Sequence, residues 1–121
     1  MSRELDIGTK KYTKVLVTDE PGAGGANHEY EIKTVPNVGR EDITLGTVSF
    51  QNGAIKESGV NGVMNEDLIA IVIDRMTGFQ SGDFACDANQ LALDRLKEAL
   101  EALNGRTKER EDRGVEGTTV V

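Results

Sequence analysis

Residues Asn65–Met76, NEDLIAIVIDRM, decide the fold. Leu68, Ile69, Val72, Ile73 and Met76 recur at steps of three and four, which lines one side of an amphipathic helix and leaves Glu66, Asp67 and Asp74 for solvent. Asn65 is placed to cap that helix, and Gly78 marks its expected end. Downstream, the loop Phe79-Gln80-Ser81-Gly82-Asp83-Phe84-Ala85-Cys86 leads to Asp87 and, three residues on, Gln90, the spacing of a capping box. The second helix then carries Leu93, Leu96, Leu100 and Leu103 as an apolar seam. With so short a connection the two helices are expected to lie antiparallel and adjacent. Gly105 is a weak stop beside the strong helix formers from Arg106 to Arg113, so the helix is expected to run to Gly114 and leave Val115 to Val121 as an extended tail.

Upstream, the period changes from helical to alternating. Tyr12 to Val17, Glu29 to Val35 and Ile43 to Gln51 are short segments rich in β-branched and aromatic residues, which reads as strands. The glycine-rich separator Pro21 to Asn27 is either a plain mobile hairpin loop or a phosphate-cradling loop, although it lacks the Gly-Lys-Ser/Thr ending of a nucleotide-hydrolase loop. Asn52-Gly53 is the strongest short hairpin signal, with Ala54 to Glu57 expected to pair back. The expected architecture is α+β: a small antiparallel β-sheet over residues 1–58, then an antiparallel helical hairpin with its tail over residues 59–121, in one compact domain.

The composition limits what such a chain does. It has 121 residues, 37% of them hydrophobic, but only five aromatics (Tyr12, Tyr30, Phe50, Phe79 and Phe84) and no tryptophan. Large side chains dominate burial, so an isolated subunit is marginal and association is the expected remedy. A net charge of −7, from 21 acidic and 14 basic residues, repels polyphosphate backbones and disfavours a nucleic-acid polymer as partner. A small anion in a local basic pocket remains compatible. The single Cys86, an N-terminus without an apolar signal core and the lack of a run of about 20 apolar residues lead to the expectation of a cytoplasmic chain with no membrane partner.

Arg106, Arg110 and Arg113 point within an arc of roughly 60° on the second helix. They continue the stripe Leu96, Ala99, Leu103, so a packing seam turns into three guanidinium forks suited to paired phosphate oxygens. The competing reading pairs them with Glu109, Glu111, Asp112 or Glu116 on a solvated helix. Around the loop, Phe79, Phe84 and Asn89 offer aromatic faces and an amide to a base or ribose, or else serve packing and the first helical turn. No catalytic set assembles. His28 and Cys86 have no partner of the right kind in sequence, Glu66 and Asp67 suit a helix N-terminus, and no Cys/His cluster has zinc spacing.

The stretches Phe50 to Glu57, Gly59 to Glu66, Ile71 to Arg75, Phe84 to Cys86 and Arg106 to Thr118 resemble the phage anti-Thoeris sponge family, Thoeris anti-defence protein one. The resemblance covers residues 48–118, and this half is also similar to smaller phage sponges that counter cyclic-oligonucleotide immunity; the added β region and the total length favour the anti-Thoeris group. It implies a subunit that forms homodimers and then homohexamers, and that sequesters a cyclic ADP-ribose isomer in the infected host's cytoplasm without cleaving it. No cofactor, metal or catalytic residue is implied. Carried onto this chain, Phe79 stacks on the adenine, Asn89 contacts the ligand, and Arg106 and Arg110 hold the pyrophosphate. Some members also bind cyclic trinucleotides, for which Arg113, Gly114, Glu116, Gly117 and Thr118 are the implied second site. The first 47 residues carry no matching motif.

Overall fold

Backbone pairing in the first half follows the alternation of its side chains. The computed structural model describes residues 2–8, 10–36 and 41–121, and these fall into two units, Met1–Val63 and Met64–Val121. In the first unit β1 (Arg3–Glu4), β2 (Thr13–Val17), β3 (Glu29–Thr34) and β4 (Thr44–Ser49) form one antiparallel sheet in sequential order. Val15 pairs with Ile32, and Val17 with Tyr30, which in turn pairs with Val48, so one face is apolar. Val17 is 1% exposed, and Tyr30 meets Phe50 edge to face at 5.6 Å. On the other face Thr44 donates to Glu31 and Ser49 to Glu29, each at 2.6 Å, as expected of a sheet with one wet side. Strand β1, only two residues long, has too little pattern to be read from sequence.

The glycine-rich separator is a knitted hairpin loop. It holds a 3-10 turn, Ala23–Gly25, with Gly24 and Gly25 at positive φ. His28 is 8% exposed and its Nε2 lies 3.0 Å from the Ala23 carbonyl; a carbonyl only accepts, which places the proton on Nε2. The Asp19 carboxylate takes the His28 amide at 2.9 Å, and the Asn27 side chain donates to the Asp19 carbonyl at 2.8 Å.

Asn52-Gly53 does not open a hairpin, and Ala54 to Glu57 does not pair back. The chain instead makes one helical turn, α1 (Ile55–Ser58), in which Ala54 O accepts from the Glu57 and Ser58 amides. Side-chain amides satisfy the backbone groups that a returning strand would have paired. Asn61 accepts from Asn52 N at 2.8 Å and donates to Asn52 O at 2.7 Å, while Gln51 accepts from Asn61 N at 2.9 Å and donates to Gly59 O at 2.7 Å. Val63 then lies parallel to Phe50, bonded through Gln51 N and Ser49 O. Gly62 passes so close that a Cβ there would sit 2.5 Å from Phe50 O and 2.7 Å from Gln51 N.

In the second unit α2 (Asn65–Gln80) and α3 (Asp87–Asp112) pack as a helical hairpin. Both caps lie one residue before the expected ones. Met64 occupies the α2 N-cap because Asp67, at the third helical position, accepts its amide at 2.9 Å; Asn65 is the first helical residue. The helix also continues past Gly78 to Gln80. Cys86 caps α3, its Sγ accepting the Asn89 amide at 3.5 Å. Asp87 therefore sits in the first turn, where its charge complements the helix dipole, and Gln90 donates to Asp94. Helix α3 does run through Gly105 to Asp112, with Gly114 at φ 73° after it. Among the described residues only Val17 and Leu93 are buried apolar side chains, and none in α2 is buried.

Two outcomes follow from this packing. Gly62→Ala should lower stability by about 1–3 kcal/mol, whereas Gly46→Ala in β4, with open space around it, should be near neutral in the same thermal melts. Acid should also weaken the first unit. Burial alone would raise the Asp19 pKa, but the hydrogen bond from the His28 amide and the nearby Glu29 amide outweigh it and hold the carboxyl below its usual range. The Thr44 hydroxyl lowers Glu31, and Lys14 lowers Asp42. With folded pKa values depressed, the unfolded chain takes up protons first, so this stability is present above roughly pH 4 and is lost as pH falls below it. Melting temperatures measured between pH 7 and pH 3 should decline at the acid end, and Asp19→Asn should flatten the decline; a level profile in the unsubstituted chain contradicts the argument.

Candidate functional site

The turn between α2 and α3 gathers most of the second unit's aromatic and amide chemistry. The Gln80 side chain fixes that turn by donating to Cys86 O at 3.1 Å and accepting from Cys86 N at 3.0 Å. Phe79 and Phe84 meet edge to face, with centroids 6.2 Å apart at 87°. Phe79 is half-buried, whereas Phe84 is 76% exposed. Asn89, in the first turn of α3, donates through Nδ2 to the Phe84 carbonyl at 3.2 Å. That bond leaves its Oδ1 without a protein donor among the described residues. Phe79, Phe84 and Asn89, all singled out from sequence, are thus brought into one cluster.

Sequence reasoning passed over Arg75, whose guanidinium carbon lies 5.0 Å from the Phe79 ring centroid. The signal was available: Arg75 precedes Phe79 by four residues, the spacing that places two helical side chains side by side.

The arginines at the far end of α3 are not presented alike. Arg106 is exposed and makes no hydrogen bond or ion pair among the described residues. Arg110 is 6% exposed. Its Nη1 donates to Val120 O at 2.6 Å, its Nη2 to Val115 O at 3.0 Å and to Thr118 O at 3.2 Å, and its Nε faces Glu116 at 3.6 Å. Arg113 pairs with Glu109 and donates to Val121 O at 3.0 Å. The competing reading of the sequence, arginines paired with acidic neighbours on a solvated helix, describes Arg113 with Glu109, whereas Arg110 faces Glu116 but is buried and held mainly by tail carbonyls. Helical geometry keeps the three on one face, but only Arg106 has an open fork.

The tail does not extend away as expected. Val115 to Val121 turns back over Arg110, with Gly114 and Gly117 in the left-handed region at φ 73° and 80° and the Thr118 hydroxyl donating to Val115 O. Arg113, Gly114, Glu116, Gly117 and Thr118, the residues implied for a second site, all lie in or beside this turn. One Glu116 carboxylate oxygen is buried there without a hydrogen bond.

Distance divides these groups. Asn89 and Arg106 stand at opposite ends of α3, roughly 26 Å apart along its axis. No dinucleotide-sized molecule bridges that span within one chain. In the first unit an open depression of about 450 Å³, lined in part by Tyr12, Thr34, Pro36 and Ile43, contains none of the residues expected at the site.

Removing the Arg110 fork should release the tail. Arg110→Ala is expected to reduce stability by about 1.5–3 kcal/mol, the scale of a buried charged hydrogen-bonding group, and to speed amide hydrogen exchange in 115–121. Arg110→Lys, which lacks the planar fork, should restore little of that protection; native-like protection in either variant would show that the tail is held by something else.

Residues 44–108 match the family described as Acb2/Tad1, hairpin domain. A protein described as Thoeris anti-defense 1, from Bacillus phage SBSphiJ7, is 50% identical over 97 residues, which cover 80% of this chain and 64% of that relative. The chain thus spans less than two thirds of the relative's length.

Proposed function

The chain belongs to the Acb2/Tad1 family, and from that premise we propose that it acts against Thoeris immunity by binding a cyclic ADP-ribose isomer and holding it intact. The observation that carries this reading is the cluster at the α2–α3 turn, where an accessible aromatic pair lies beside an amide with a free acceptor. Phe79 supplies a face for adenine, and Asn89 Oδ1 accepts from a base amine or a ribose hydroxyl. The similarity to a Thoeris anti-defense 1 protein supports the biological setting.

A diphosphate needs cations, and Arg106 is the open fork at the end of α3. Because Arg106 lies some 26 Å from Asn89 in its own chain, this reading requires a second subunit whose α3 end meets the α2–α3 turn of the first. Such an arrangement also suits the exposed apolar side chains Ile71, Val72, Phe84 and Leu91, which are 63%, 43%, 76% and 56% exposed in the single chain. Homodimers assembling into a homohexamer are the form in which this enclosure is proposed. Arg110 enters contact with the ligand only by giving up tail carbonyls.

Enclosure is also an energetic requirement. Capture below a signalling concentration calls for roughly nanomolar affinity, about −12 kcal/mol. A ligand of about 35 heavy atoms at about −0.3 kcal/mol each supplies roughly −10 kcal/mol. A surface patch would fall far short, whereas a water-excluding pocket with stacking and charge-assisted bonds closes the difference.

The decisive measurement is to mix the protein with cyclic ADP-ribose isomers, denature it by heat and chromatograph the supernatant. Intact ligand recovered in stoichiometric amount is the expected result; progressive product would make the protein an enzyme, and no retention of any isomer would leave assembly as its role. Arg106→Ala should weaken binding at least tenfold, about 1.4 kcal/mol, with the oligomeric state unchanged by light scattering.

A further inference from the structure

We propose that Arg75 is a ligand-contacting residue that supplies, from the same helix as Phe79, a guanidinium for the phosphate nearest the stacked base. The inference rests on the reading of the Phe79–Asn89 cluster as the ligand site. Its own support is geometric. Arg75 lies over the Phe79 ring, with its guanidinium carbon 5.0 Å from the centroid. A cation in that position is attracted by the ring's negative face and is held close to it. The contact is with a ring face and not with a hydrogen-bond acceptor oxygen, so the guanidinium's donors remain available to a phosphate.

Those donors have no protein acceptor among the described residues. The contrast with three other arginines of the second unit is direct: Arg95 pairs with Glu98 at 2.9 Å, Arg110 with three tail carbonyls, and Arg113 with Glu109. Arg75 therefore stands beside an aromatic platform with its hydrogen-bonding capacity unspent. Within the second unit it is also the guanidinium at this end of the hairpin that is free of an ion pair, since Arg106 lies at the other end of α3.

The chemistry of a nucleotide fits this placement. The first phosphate of a nucleotide is one ribose away from the base. A base packed against Phe79, on the face that Arg75 leaves open or against the ring edge, brings that phosphate toward the neighbouring fork. The surroundings make such a cation useful: Asp74, Asp83 and Asp87 are close in sequence to Phe79, and the chain as a whole carries −7. An anion approaching this turn meets repulsion unless a local positive group offsets it. Arg75 would then select phosphate-bearing ligands over uncharged nucleosides.

A purely mechanical role, propping the Phe79 ring, makes a different prediction, because a prop acts alike at every ionic strength whereas a charge on a phosphate is screened by salt. Calorimetry with a panel of cyclic ADP-ribose isomers, at low and high salt, on the full chain and on Arg75→Gln, Arg75→Lys and Phe79→Ala separates the two. The expected result is at least a tenfold loss of affinity in Arg75→Gln at low salt, with a flatter salt dependence, and a partial recovery in Arg75→Lys that keeps the salt dependence. Equal binding in Arg75→Gln while Phe79→Ala binds poorly overturns this proposal and leaves the site reading standing. The same salt dependence in Arg75→Gln as in the unsubstituted chain, with weaker binding throughout, makes Arg75 a prop and overturns it too. Failure of the unsubstituted chain to bind any isomer removes the site reading itself, and this proposal with it. Should Arg75→Gln fail to fold by circular dichroism, Arg75→Lys decides: affinity and salt dependence identical to the unsubstituted chain under all conditions would exclude a role for the planar fork.

Discussion

The side-chain amide of Gln80 bonds both backbone polar groups of Cys86, one as donor and one as acceptor. This pair of bonds fixes where α2 stops and where α3 begins. Held in an extended conformation, Cys86 becomes the N-cap of α3, and the five residues before it form a tight loop in place of a free connector. The loop in turn places Phe84 against Phe79 and the Phe84 carbonyl over the Asn89 amide. The cluster at the end of the hairpin is thus a product of one residue's hydrogen bonding. A connector without this amide would leave the Cys86 N–H at the start of α3 without its partner and would loosen the loop that brings the two phenylalanines together.

Elsewhere the chain is short of such constraints. Two apolar side chains are buried among the described residues, one in each unit, and the leucine seam of α3 is only partly covered, with Leu96, Leu100 and Leu103 half-buried. A fully buried aliphatic side chain contributes about 1.5–3 kcal/mol, so Ile71, Val72 and Leu91 left in water represent a large share of the marginal stability of a domain this size. The proposed association of subunits through these faces would cover them, and would let the two ends of a 26-residue helix serve one small ligand.

Much of this was legible in the sequence because periodicity reports burial directly. The steps of three and four from Leu68 to Met76 place α2 and mark a partly covered face, and the alternation through Val15, Val17, Tyr30 and Ile32 places β2 and β3. What the sequence concealed were decisions taken by single polar side chains at a distance in the chain. Asn52-Gly53 is a sound turn signal, yet Asn61 and Gln51 satisfy the local backbone and leave a returning strand no partner. Cys86 is a poor cap by type and becomes one because Gln80 holds it. Asp67 fixes Met64 as a cap in the same way. For the arginines, the shared helix face was readable, but not that a seven-residue tail would fold back on the middle one.

That tail separates Arg106 from Arg110 physically. An open fork can accept a diphosphate at the cost of its hydration and side-chain freedom. Arg110 would first have to release three carbonyls, each then needing another donor, and to free a segment that Gly114 and Gly117 have allowed to turn. Its present partners are mostly neutral, however, and an exchange of carbonyls for phosphate oxygens would replace ordinary hydrogen bonds with charge-assisted ones of roughly twice the strength. The Glu116 carboxylate, with a buried oxygen 3.6 Å from Arg110 Nε, acts in the opposite direction, since its charge opposes any anion brought close while the tail stays in place. Arg110 and the tail therefore form a single unit: the guanidinium braces 115–121, and in the proposed function it would reach a phosphate only after Glu116 moved away.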